Sequence, residues 1–227
     1  MKTARKVLLL VLCAALLVSA SVMGTMAYLT SKDTVTNTFT VGKVGITLDE
    51  TDVDLMGVKN GETRVKANNY KLLPGHKYTK DPVVHVQPKS EEAYVRLLVT
   101  ISKKSYADDV LATTADGVIL LENYVDKNAA WEHNAAGYKA DANADTATYE
   151  FRYKTTVAND TDTVKDLPAL FTTITMPDTL TNEQIAKLDG VTVTVVAQAI
   201  QAADFEAKGD KTAADVAWES FPVETQG

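Results

Sequence analysis

Imidazole can act as base, acid or metal ligand, so the histidines are the first residues to weigh for chemistry. There are three, His76, His85 and His133. A zinc-hydrolase helix needs two histidines four residues apart with a glutamate between them, so that both rings face one metal. The sequence has no such pair. His76 falls in a turn signal and His85 in an apolar run, so a turn residue and a strand-surface residue are expected. They would share a metal only if the fold happened to join them. Glu132-His133 follows Trp131 with no second histidine downstream, and no Gly-x-Ser-x-Gly elbow serves a serine nucleophile. Glu91-Glu92 and Asp108-Asp109 are adjacent in sequence, which in a strand points the two carboxylates to opposite faces and makes a poor glycosidase pair. The run Asp49, Glu50, Asp52, Asp54 could offer oxygens to calcium, but it lacks the glycine and distal glutamate of an EF-hand loop. A solvated acidic turn is expected there. Nor does any glycine loop suit a phosphate, or any aromatic–basic interleaving suit nucleic acid. No enzyme and no cofactor are expected from these residues.

Export is the clearest feature. Lys2, Arg5 and Lys6 precede an apolar run from Val7 to Val18, and small residues follow, ending in Thr25-Met26-Ala27. Small side chains at positions −3 and −1 suit a signal peptidase. Thr25 and Ala27 meet that rule, so cleavage is expected between Ala27 and Tyr28, leaving 28–227 as one secreted domain. An uncleaved anchor is the alternative, since no charge interrupts Val7 to Thr30. Cys13 is the only cysteine and sits inside the signal, so the mature chain has no thiol for a disulfide, a nucleophile or a zinc site. A chain of this length can bury a sizeable core without crosslinks. Processing also moves the net charge from −7 to −10, which disfavours nucleic acid and anionic lipid.

These residues need a scaffold, and the pattern is one of short strands. Tyr28 to Thr40 is polar and threonine-rich and reads as a marginal strand. Val44-x-Ile46-x-Leu48 alternates cleanly, Asn60-Gly61 and Leu73-Pro74-Gly75-His76 read as turns, and Val83 to Val86 is an apolar run. In Ala93 to Ile101 the two faces are apolar and half apolar, as if both were covered. Tyr106 to Thr113 and Val118 to Asp126 could be short helices or hairpin arms, and Ala129 to Thr148 reads as a surface loop. Residues 105–165 could form an insertion at one end of the domain. Tyr149, Phe151 and Tyr153 alternate and are expected to pack rather than bind. A strand is expected near Ala169 to Thr175, then a helix Asn182 to Leu188 capped by Thr181 and stopped by Gly190. A strand through Val191, Val193, Val195 and Ala197 to Ile200 follows, then a helix Ala213 to Ser220 capped by Thr212. The fold class expected is mainly β: a jelly-roll-like antiparallel β-sandwich with a few short helices, after an N-terminal signal helix.

A resemblance adds a function. The stretch from Gly24-Thr25-Met26-Ala27-Tyr28-Leu29-Thr30-Ser31 through Asn37-Thr38-Phe39-Thr40-Val41-Gly42 resembles the head of the TasA/camelysin family of SipW-dependent proteins exported by Gram-positive bacteria. Leu73-Pro74-Gly75-His76-Lys77-Tyr78, Ala93-Tyr94-Val95-Arg96 and the tail from Ala199-Ile200-Gln201-Ala202 to Trp218 are similar to it as well, while 105–165 is uncovered. The resemblance implies a secreted subunit of the cell surface or biofilm matrix that assembles into fibres by donor-strand exchange. Residues 28–40 would be the donor, with Leu29, Val35, Phe39 and Val41 filling pockets on a neighbour. The partners implied are a SipW-type signal peptidase, further copies of the chain and accessory matrix proteins. Nucleic acid is not expected, and the membrane is met only through the uncleaved signal. The family's camelysin branch implies a rival, a surface metalloprotease, for which this sequence offers no zinc-helix residues. A non-polymerising adhesin is a third reading.

Overall fold

The computed structural model describes residues 43–221 except 112, 115–117, 120 and 204. The signal segment 1–27, the cleavage residues Thr25, Ala27 and Tyr28, the donor segment 28–40 with Leu29, Val35 and Phe39, and Val41 all lie outside the described residues.

Eleven strands and three helices make up the described chain. The strands are β1 (Ile46–Val53), β2 (Lys59–Val65), β3 (Lys77–Thr79), β4 (Val83–Val86), β5 (Ser90–Ser102), β6 (Trp131–Asp141), β7 (Thr146–Tyr153), β8 (Val157–Asn159), β9 (Lys165–Asp166), β10 (Thr173–Thr175) and β11 (Val193–Gln201). The helices are α1 (Lys104–Val110), α2 (Asn182–Lys187) and α3 (Ala213–Glu219). The smaller main sheet runs β2-β1-β4-β9 and the larger β11-β5-β7-β6, while β3 and β10 form a separate pair. Every pairing is antiparallel, so the fold is the mainly β sandwich that the alternating runs call for.

The spine is β5. Its alternation places Ala93, Val95, Leu97, Val99 and Ile101 on one buried face. Val84 and Val86 of β4 meet them from the smaller sheet, together with Tyr149 and Phe151 of β7 and Trp131 of β6. Each Val, Leu, Ile or Phe among them contributes about 1.5–3 kcal/mol by leaving water. The opposite face of β5, with Tyr94, Arg96, Leu98 and Thr100, is only half covered, short of the double burial expected. On that face the Arg96 guanidinium lies 4.3 Å from the centre of the Trp218 ring, which α3 presents. The β11 strand takes one edge of β5, from Val193↔Ile101 to Gln201↔Ala93. Both β7 and β8 take the other edge, with Ala93↔Val157 continuing the line begun by Ser102↔Thr146. Both predicted helix caps form: Thr181 and Thr212 each close a capping box.

Several expectations are corrected. The acidic run is not a turn, because Asp49, Glu50 and Asp52 lie within β1. The chain reverses later, at 54–58, where Asp54 Oδ1 accepts the amides of Met56 and Val58 at 2.8 and 2.9 Å. Gly57 supplies the positive φ of 76° there, and a Cβ on it would meet Tyr78 Cα at 2.9 Å. Asn60-Gly61 is accordingly inside β2 rather than at the turn. The expected loop Ala129 to Thr148 is instead most of the β6–β7 hairpin, paired from Trp131↔Tyr153 to Asp141↔Thr146 across a bulge. Residues 105–165 are therefore no insertion at the end of the sandwich, since they supply two full strands of its larger sheet and β8 besides. Of the segment near Ala169 to Thr175, only Thr173–Thr175 is strand, and Tyr106 to Thr113 lies mostly in α1.

Candidate functional site: an open sheet edge

The sequence of β11, Val-Thr-Val-Val-Ala-Gln-Ala-Ile-Gln, carries no charge and no proline. Its nine residues pair with β5 without a bulge, and the opposite edge has no strand partner among the described residues. Val193, Val195, Ala197 and Ala199 pack against the core, while Thr194 and Val196 are exposed, Val196 at 44%. An edge of this kind presents a flat row of backbone donors and acceptors to any extended chain.

The other sheet edges are built differently. Strand β6 carries Glu132, Lys139 and Asp141 and is broken by a bulge between Asn134 and Lys139. At its centre Gly137 lies hard against the Glu150 side chain, where a Cβ would be 2.5 Å from Oε2. Strand β2 carries Lys59, Glu62 and Arg64, and β9 is only two residues long. Charge, bulges and shortness are the usual ways a sheet edge is kept from pairing.

Of the residues weighed for chemistry, His85 and the acidic run of β1 are used in holding the smaller sheet together. His85 places Nε2 2.7 Å from Asp49 and Nδ1 2.5 Å from Asp166, joining β4 to β1 and β9. Arg64 of β2 completes the group, bonded to Asp49 and lying 3.3 Å from Asp81. Burial pulls the imidazole down, but its bonds to Asp49 and Asp166 outweigh burial and hold it above its ordinary value. Burial likewise raises Asp49, and the bonds from His85 and Arg64 outweigh it and keep the carboxyl low. Glu50, the next residue along β1, is 5% exposed and receives Lys80 Nζ at 2.6 Å.

The structure does not bring the histidines together. His76 Nε2 lies 2.8 Å from the Met56 carbonyl, at the turn, and its ring meets Tyr78 edge-on. His133 stacks on Phe151 with centroids 5.1 Å apart. A cavity of about 380 Å³ adjoins His133, between Ile119, Leu121, Tyr138 and Phe151. Among the described residues no three acidic, histidine or cysteine side chains are arranged to hold a metal. Nor is any described helix long and apolar enough to cross a membrane. Tyr149 and Phe151 are buried in the core, as their alternation predicts, while Tyr153 packs at its margin.

Sequence reasoning marked the β11 segment as a strand but not as an edge. The signal was present in its lack of charge, whereas its position followed only from the pairing. Comparison with known proteins finds no matching family model, no matching curated protein and no matching solved structure.

Proposed function

We propose that this chain is a secreted structural protein of the cell surface or biofilm matrix, a fibre subunit of the TasA/camelysin type. In this reading a SipW-type peptidase cuts after Ala27, and residues 28–40 add as a strand to β11 of a neighbouring copy. The observation that carries the reading is the open, uncharged nine-residue edge of β11 beside an otherwise guarded set of edges. Strand addition draws its affinity from backbone hydrogen bonds and its register from alternate side chains. Leu29, Val35 and Phe39 are all odd-numbered, so one face of an extended donor would carry them, with Val41 next in line just past it. Accessory matrix proteins could use the same edge.

Removal of residues 28–40 tests the reading. Protein beginning at Tyr28 should form fibres visible by electron microscopy, and the truncated protein should sediment as a monomer under the same conditions. Equal polymerisation of the two would exclude the donor role.

A further inference from the structure

Three reactive groups from three separate segments meet behind β1. Glu50 on β1 is 5% exposed, Lys80 just past β3 is 9% exposed, and Asn68 follows β2. Glu50 uses both carboxylate oxygens: Oε2 accepts Lys80 Nζ at 2.6 Å, and Oε1 accepts Asn68 Nδ2 at 3.1 Å. Asn68 is held on its other sides too, with Nδ2 donating to the Thr51 carbonyl at 2.8 Å and Oδ1 accepting the Val53 amide at 3.0 Å. Tyr70 and Tyr78 stand nearby in edge-to-face contact, 5.5 Å between centroids. Burial first, and the Glu50 charge second, push the Tyr70 hydroxyl up, as a site poor in water would. Burying a lysine–glutamate pair carries a desolvation cost that stability alone does not explain.

We propose that Lys80 and Asn68 become joined by an intramolecular amide bond, with Glu50 as the proton relay. Proton transfer along the Lys80–Glu50 bond gives a neutral amine and a carboxylic acid. The Lys80 Nζ lone pair attacks Asn68 Cγ, forming the new C–N bond as the carbonyl π pair moves to Oδ1. The Val53 amide already donates to that oxygen, and so stabilises the oxyanion as charge develops. Glu50 takes a proton from Nζ through one oxygen and returns one to Nδ2 through the other. Collapse of the intermediate breaks the Cγ–Nδ2 bond and releases ammonia, leaving the amide and a neutral Glu50. No oxidant or cofactor enters the balance. The bond ties two segments of a chain whose sole cysteine is Cys13, and it restricts the unfolded state as any short loop closure does.

Mass spectrometry of the folded protein tests the proposal directly. The intact mass should fall short of the sequence mass by one ammonia. Trypsin should leave peptide 67–71 joined to peptide 78–89, uncut after Lys80, with fragment ions placing the branch at Asn68 rather than Asn69. Glu50→Gln, which keeps the size and a hydrogen-bonding oxygen, should lose the branch and regain the full mass. Unbranched 67–71 together with free 78–80 from the wild-type protein would overturn the proposal. Ammonia lost without the branch would overturn it equally, since a succinimide at Asn60-Gly61 releases the same molecule. A branch that persists in Glu50→Gln would remove Glu50 from the mechanism.

Discussion

The two outer strands of the larger sheet, β6 and β11, have opposite characters. Strand β6 is bulged, charged and pressed against Glu150, so its outward edge cannot lie flat against another chain. Strand β11 is straight in register and uncharged. In the smaller sheet β9 guards its edge by being short, and His85 fastens it through Asp166. Among the described residues the sandwich shields three edges and leaves that of β11 without a strand, the combination that favours strand addition.

The largest effect expected on either edge is Trp131→Ala. Trp131 is fully buried, donates Nε1 to the Pro168 carbonyl at 2.9 Å and meets Tyr153 edge-on. Its removal should cost about 3–5 kcal/mol in urea unfolding, because the cavity cannot close. A cost below that range would mean β6 is not clamped as described. Next is Val196→Lys on β11. It should leave monomer stability within about 0.5 kcal/mol, yet weaken fibre assembly at least about tenfold, or 1.4 kcal/mol. Ala135→Lys on exposed β6 is the control and should change neither; a matching loss there would erase the distinction between the edges.

The smallest effect concerns the His85 fastening. Because the folded-state value is raised, its stabilisation is complete below the ordinary value of 6.5. It fades as pH climbs through the folded value, since the native state then gives up a proton that it had held more tightly than the unfolded chain. Stability followed by denaturation from pH 6 to 9 should fall in wild type and stay flatter in His85→Gln. Asp166 has the more exposed carboxylate of the two and no Arg64 beside it, so β9 should loosen first, seen as faster amide exchange at Lys165 and Asp166.

Much of this fold was legible in the sequence where burial is one-sided. Ala93 to Ile101 and Val193 to Ile200 alternate because one face meets the core, and Thr181 and Thr212 announce their helices by side-chain chemistry. The β6 strand was hidden because a bulged edge strand with little burial beyond Trp131 has no reason to alternate; its Ala, Asn and Gly residues look like loop. The acidic run misled for a different reason. Its carboxylates are matched by Arg64, His85 and Lys80, which arrive from 15, 36 and 30 residues away, and no local pattern records such distant partners. The Glu50–Asn68–Lys80 cluster is invisible on the same ground. The open edge was half legible, in composition but not in position.

The length of β5 has a consequence in time. Its pairing with β11 spans long stretches of chain, as Arg96 bonding Gln198 across 102 residues shows. Contacts so remote are slow to form, because loop entropy must be overcome before they stabilise anything. A chain emerging from its amino end would hold most of its core residues ready and still lack the strand that completes the larger sheet. The larger sheet therefore closes only once nearly all of the chain is available to pair.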